Sequence, residues 1–272
     1  MLKKIKNILK YRKSVSDNIV YPNFCLEASS NDKIFSTFRS NKIYQNILEH
    51  VSESLAIEYF QIIKKDFGLL DSEIYSKVEK FNSIGKPNLV KVSETIPELS
   101  GTALRYLHTS LEINKFLEKN EIVPKKIVEL GCGYGGQSIF LNEIFKIEDY
   151  TYIDLPEVNQ LIMKFLSFFK LDFSKNYTTL DTNNFSEYDL FISNYSFSEL
   201  PRHLQNKAIK KVINNSKCGY MIINSENFSN AYKFMERKDY EKLFKSYEIN
   251  EERPQTSIKN INYVFTFNNS DS

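Results

Sequence analysis

From Ile43 onward the apolar residues Ile47, Leu48, Val51, Leu55, Tyr59 and Ile63 recur every three or four positions, the interval that lines one face of an α-helix. The pattern predicts a long core helix. Gly85-Lys86-Pro87 interrupts it, and Ser100-Gly101-Thr102 opens a second helical run through Leu104, Leu107, Leu111, Ile113 and Leu117. Residues 1 to about 120 are expected to be helical throughout.

After Pro124 the texture changes to short apolar runs alternating with helical stretches. Strands are predicted at Lys126 to Leu130, Tyr150 to Leu155, Tyr177 to Leu180, Leu190 to Asn194 and Tyr220 to Asn224. Helices are predicted between them at Gly135 to Phe145, Pro156 to Phe169, Pro201 to Asn215 and Tyr232 to Phe244, two of them opened by a first-turn proline. Two last strands, Tyr247 to Glu252 and Tyr263 to Phe267, suit a closing antiparallel hairpin, and Asn268 to Ser272 a frayed tail. The expected fold is α/β: a Rossmann-like, mostly parallel seven-stranded sheet with helices on both faces, preceded by a helical N-terminal region. We divide the chain into a helical cap or substrate region over 1–120 and a Rossmann-like unit over 121–272, the two packing as one.

Composition narrows the function. The 272 residues are 42% hydrophobic and 14% aromatic, enough for a substantial core. Lysine and arginine number 36 against 34 acids, a formal charge of +2, so no basic field favours nucleic acid and none is expected as a partner. Cys25, Cys132 and Cys218 match neither a disulfide framework nor a paired metal motif, which suggests a reducing, cytoplasmic setting and no metal site. No apolar run reaches the roughly 18 residues of a membrane span, and the start lacks a secretory stretch. Lys3, Lys4, Lys6, Lys10, Arg12 and Lys13 around Leu2, Ile5, Ile8 and Leu9 fit a basic amphipathic helix, a weak route to peripheral membrane contact; a solvated terminal helix is the simpler reading. The sequence sets no oligomeric state.

The chemistry concentrates in Val128-Glu129-Leu130-Gly131-Cys132-Gly133-Tyr134-Gly135-Gly136, which holds four of the chain's eight glycines. A buried strand running through a glycine turn into a helix lets backbone amides approach a ligand. The spacing satisfies both G-x-G-x-G (Gly131, Gly133, Gly135) and the dinucleotide pattern G-x-G-x-x-G (Gly131, Gly133, Gly136), so the glycines alone do not choose a cofactor. Glu129, two residues before the first glycine, suits a cationic ammonium and would repel a pyrophosphate. Asp154, ending the next strand, can accept hydrogen bonds from both ribose hydroxyls of a nucleoside.

This loop and Asp154 resemble the first motif and ribose-binding acid of class I S-adenosylmethionine-dependent methyltransferases, over residues 125–268. Glu129 to Gly136, Asp154-Leu155-Pro156-Glu157-Val158 and Asn194-Tyr195-Ser196-Phe197-Ser198-Glu199-Leu200 together resemble the sugar O-methyltransferase family of bacterial glycan-modifying enzymes. Thr102-Ala103-Leu104-Arg105-Tyr106-Leu107 resembles a stretch preceding that family's Rossmann-like part. Cys132 departs from the glycine common in the family loop. The resemblance implies S-adenosyl-L-methionine as cofactor, held by Glu129, Gly131, Gly133, Gly135 and Asp154, and a sugar or glycan-precursor hydroxyl as acceptor.

Ligands of an open parallel sheet lie beyond the carboxyl ends of its strands, which places Asp181, Asn194, Ser198, Glu199 and Asn224 near the cofactor, Asp181 and Thr182 beside its adenine. Glu199 is the first candidate for a base or an acceptor-orienting carboxylate, with a helix-capping acid as the alternative. His203 and His108 are further candidate bases, against a surface and a structural role; His50 is read as a surface residue. Arg105 and Tyr106 are candidates for binding the cofactor carboxylate or a phosphate, and Ser198 for the acceptor. Methylation of an amine or phenol, a binding protein without turnover, and a nicotinamide-dependent oxidoreductase are the rival functions.

Overall fold

A computed structural model describes residues 19–183, 185–225, 234–257, 259 and 261–269. The basic stretch at the N-terminus lies outside them, as do the last three residues and the first two of the helix expected from Tyr232.

The N-terminal part is α1 (Val20–Ser30), α2 (Asp32–Phe35), α3 (Lys42–Gln45), α4 (Glu53–Phe67) and α5 (Asp71–Asn82), then strands β1 (Leu89–Val90) and β2 (Leu99–Ser100) and the long α6 (Gly101–Lys119). Two expectations are corrected. The helix read from Ile43 through Ile63 is broken between Gln45 and Glu53, because Glu49 turns away to Arg39 (2.6 Å) and Ser52 caps a new helix by accepting from the Leu55 amide (3.3 Å). The region is also not helical throughout, since β1 and β2 pair antiparallel across the Gly85-Lys86-Pro87 side of the cap.

The rest alternates as the hydrophobic pattern requires: β3 (Lys126–Leu130), α7 (Gly136–Ile144), β4 (Asp149–Ile153), α8 (Pro156–Leu166), β5 (Ser174–Thr178), β6 (Tyr188–Asn194), α9 (Ser196–Glu199), α10 (Arg202–Lys211), β7 (Ser216–Ile223), α11 (Arg237–Glu241), β8 (Tyr247–Glu251) and β9 (Tyr263–Asn268). The sheet order is β5-β4-β3-β6-β7-β9-β8; β9 is antiparallel to both neighbours and the other pairings are parallel. This is the Rossmann-like, mostly parallel seven-stranded sheet expected. β5 lies earlier than expected because its run is polar, and Pro201 stands just before α10 as its N-cap.

Successive strand residues point to opposite faces, and two apolar clusters divide accordingly. Ile127, Leu190, Ile192, Cys218, Tyr220 and Ile222 pack with the N-terminal helices, α7 and α8; Val128, Phe191, Met221, Phe265 and Phe267 pack with α10 and α11. Glu129 shares the face of Ile127 and so looks toward α6. After β3 the chain builds outward through β4 to β5, then returns to place β6 on the other side of β3. That reversal opens a crevice beyond the carboxyl ends of β3 and β6, where such sheets bind ligands.

Candidate functional site

The crevice is a cavity of about 440 Å³. Gly131, Gly133 and Asp154 form one wall, with Thr179, Leu180 and Asp181 following β5. Asn194, Tyr195, Ser196, Glu199 and Asn224 come from the ends of β6 and β7. Tyr21, Ile47, Leu48, His50, Val51, Leu55 and Arg105 of the N-terminal part close it, and Thr256, Ser257 and Asn262 reach in from the segment between β8 and β9.

The loop has little freedom to vary. Gly131 and Gly133 adopt φ of 78° and 60°. A β-carbon on Gly131 would stand 2.1 Å from the Ser196 side chain, and one on Gly133 2.8 Å from Leu48 Cδ2. Asp154 fastens the loop to β4: its Oδ2 accepts from the Cys132 amide (2.7 Å) and its Oδ1 from the Leu155 amide (2.8 Å). Burial pushes its carboxyl up to about 6, against those amides, which favour the ionised form. Cys132 is tolerated as a small buried side chain whose thiol donates to the Glu129 carbonyl (3.2 Å).

Behind Gly131 a recess of about 40 Å³ is lined by Arg105, Tyr106, Thr109, Glu129, Asn194 and Tyr195, among others. Glu129 is 1% exposed, accepts from the Tyr150 hydroxyl (2.8 Å), and is raised by burial to about 8. Its neighbour Asn194 is oriented by a chain of amides. The Tyr106 carbonyl can only accept, so Gln137 presents Nε2 to it (3.3 Å) and to Ser110 Oγ (2.5 Å), leaving Gln137 Oε1 to accept from Asn194 Nδ2 (3.1 Å). Asn194 Oδ1 is then a buried acceptor without a hydrogen-bond donor. A neutral acid and an unanswered amide oxygen beside a recess of this size suit a small cation with several N–H donors.

Glu129 makes the chain pH-sensitive. Its ordinary value of 4.5 rises to about 8 on folding, so between those pH values the folded state holds a proton that the unfolded state releases. The associated stability is fully present below pH 4.5 and is lost as pH rises toward 8. Between pH 6 and 8, above the range of Asp154, ligand-free wild type is expected to lose stability by up to about 1.4 kcal/mol per pH unit. Urea titrations should show this slope reduced in Glu129→Gln.

Of the expected site residues, Gly131, Gly133, Asp154, Asp181, Asn194, Glu199, Asn224 and Arg105 meet at the cavity. Asp181 is paired with Lys207 (2.5 Å). Glu199 is raised by burial, with the Asn224 side-chain amide donating to it (3.2 Å). Arg105 donates to the Leu48 carbonyl (3.0 Å) and stands 5.9 Å from the centre of the Tyr195 ring. Gly135 lies behind the loop against Ile162 and Leu166, and Thr182 bonds to Thr178 rather than lining the cavity.

Four expectations are corrected. His108 is buried against Tyr59 (5.3 Å between ring centres) and Phe67 (6.2 Å) on the α4 side of α6, away from the cavity that Arg105 reaches. His203 is exposed on α10, between Arg202 and the cavity-lining Leu204. Ser198 ties the turn together, donating to the Tyr195 carbonyl (2.6 Å) and accepting from the Asn224 amide (2.9 Å). Tyr106 backs the glycine loop and lines the recess only. His50 is exposed, as its reading as a surface residue expects, and it also lines the cavity, as do Tyr21, Thr256, Ser257 and Asn262. No local motif marks these, since they arrive from segments far apart in sequence; Gln137 carries no signal beyond its place in the first turn after the loop. Among the described residues, no group of three histidine, cysteine, aspartate or glutamate side chains could hold a metal ion, and no helix is long and apolar enough to cross a membrane.

No family model matches the sequence, and no curated protein sequence matches it. Among solved structures, the chain is similar to an S-adenosylmethionine-dependent methyltransferase from Clostridium acetobutylicum, at 14% identity and TM-score 0.46, over 76% of this chain and 95% of that one. It is similar to the plantazolicin methyltransferase BpumL in complex with SAH, at 14% identity and TM-score 0.42, over 84% of this chain and all of that one. The methyltransferase domain of a bacterial CtHen1 matches at 16% identity and TM-score 0.44, over 59% of this chain and 97% of that one. Likenesses this distant say nothing of this chain's own reaction.

Proposed function

We propose that this chain is an S-adenosylmethionine-dependent methyltransferase that methylates a hydroxyl of a sugar or glycan precursor. One observation carries the cofactor reading: Asp154, for a ribose, and the Glu129–Asn194 recess, for an ammonium, flank the same glycine loop at the wall of one cavity. Glu129, ionised, and Asn194 Oδ1 would hold the ammonium, Arg105 would answer the carboxylate, and Thr179 to Asp181 would border the adenine. A pyrophosphate brings only acceptors to that recess, which disfavours a nicotinamide dinucleotide.

Methyl transfer is an in-line displacement at carbon, so the chain's own residues act chiefly by alignment and by handling the acceptor's proton. Glu199 and Asn224, with Asn262 bonded to the Ser225 amide beside them and to Thr256, form a neutral and acidic hydrogen-bonding wall suited to a polyhydroxyl acceptor. The sequence resemblance to sugar O-methyltransferases supports the same class.

Calorimetry with S-adenosylhomocysteine and with NAD tests the cofactor; binding of NAD alone would overturn the reading. Labelled S-adenosylmethionine offered to free hexoses, deoxyhexoses, their methyl glycosides, amines and phenols tests the acceptor, and transfer confined to amines or phenols would replace the sugar. With the acceptor so found, Glu199→Gln is expected to lower turnover about 10- to 100-fold while S-adenosylhomocysteine affinity stays within about twofold.

A further inference from the structure

We propose that His50 is the general base that takes the proton of the acceptor hydroxyl during methyl transfer. The inference rests on the methyltransferase reading of the cavity and adds a residue that the motifs do not contain.

His50 stands in the break between α3 and α4, and the residues around it are fastened. Glu49 is drawn into the core by the Arg39 guanidinium (2.6 Å), which also donates to the Phe81 carbonyl (2.6 Å) and to Ser100 Oγ (2.7 Å). The Leu48 carbonyl accepts from Arg105 (3.0 Å), Val51 fills the space over Gly101, and Ser52 caps α4. A backbone held on both sides fixes where His50 stands, and a hydrogen bond to the Gln45 backbone orients its exposed ring. That imidazole lines the cavity, whereas His108 and His203 do not.

Its place is at the reacting end. The Arg105 charge is felt at His50, and Arg105 borders Gly131, Asn194 and Tyr195, the side where the sulfonium would lie, away from Thr179 to Asp181. The charged groups that act on it are Arg105 of α6 and Glu49 of its own segment; Tyr21, Asp154, Asp181 and Glu199 line the same cavity. Partial burial first, and then Arg105, hold the ring below the ordinary 6.5 against the Gln45 backbone bond and Glu49, so it is neutral at pH 7 and able to accept a proton. In the step itself the hydroxyl oxygen bonds to the methyl carbon as the carbon–sulfur bond breaks, its electron pair returning to sulfur as the thioether. The hydroxyl proton passes to His50, which later releases it to water.

The first test needs no acceptor. Nitrogen-15 imidazole spectra of the three histidines are titrated with the protein saturated by S-adenosylhomocysteine, which is uncharged at sulfur, and by S-adenosylmethionine, which carries one positive charge there. The His50 midpoint is expected to fall by about one pH unit in the second complex, as a neighbouring cation would cause, with His108 and His203 unmoved. In the second test, using the best acceptor of the panel above, His50→Gln loses about 100-fold or more in kcat with S-adenosylhomocysteine affinity unchanged, and imidazole restores part of the activity of His50→Ala. A His50 midpoint identical in the two complexes, or full turnover in His50→Gln, overturns the proposal and leaves the cofactor reading standing. Failure of S-adenosylhomocysteine to bind at all overturns both.

Discussion

Asp154→Ala is expected to weaken S-adenosylhomocysteine binding by about 100- to 1000-fold, the loss of two hydrogen bonds from ribose hydroxyls to a carboxylate in a buried site. The same change removes the acceptor of the Cys132 and Leu155 amides, so the loop loses its tie to β4 as well. Asp154→Asn separates the two effects: it retains one side-chain acceptor and is expected to cost about tenfold. Calorimetry on both variants measures the ratio, and wild-type affinity in Asp154→Ala would remove this residue from the cofactor site. Because the ribose hydroxyls favour the ionised Asp154, raised by burial to about 6, and the ammonium favours the ionised Glu129, raised to about 8, affinity should climb as pH rises through about 6 and on toward about 8.

Glu49→Ala should cost about 3–5 kcal/mol, a large part of the margin of an ordinary domain. It leaves the Arg39 guanidinium, fully buried and lying over the Tyr134 ring at 5.0 Å, without its counter-ion. A chain of this length should then unfold roughly 10 °C lower in calorimetry. The double variant Arg39→Met with Glu49→Leu removes both charges and is expected to recover much of that stability, since an apolar pair of similar volume needs no desolvation. It should not recover catalysis, because the segment carrying His50 loses the ion pair that fixes it. A Glu49→Ala protein as stable as wild type would show that Arg39 finds compensation elsewhere.

The alternating half of the chain was legible because its central strands, β3, β4, β6 and β7, bury both faces and the helices between them carry apolar stripes; those patterns are local. The glycine loop was legible for the same reason, since strand, turn and helix follow one another within a dozen residues. Where polar side chains intruded the reading slipped. β5, with its sequence Ser174-Lys175-Asn176-Tyr177-Thr178, lies earlier than its apolar residues suggested, being an edge strand that owes its place to β4. The helix read through Ile43 to Ile63 kept perfect periodicity, yet Arg39 and Ser52 broke it, one through an ion pair and the other through a cap.

Taken by itself, the sequence determined the fold class, the glycine turn beside Glu129 and Asp154, and the candidate cofactor, because these depend on neighbours in the chain. Tertiary structure decided which polar residues meet in the cavity. It turned His108 toward Tyr59 and Phe67, left His203 in water, made Ser198 a strut of its turn, and brought His50 and Asn262 from opposite ends of the chain to one cavity. The direction of a side chain from a helix or a break depends on what packs against it, and those partners lie up to two hundred residues away, where no local spacing records them.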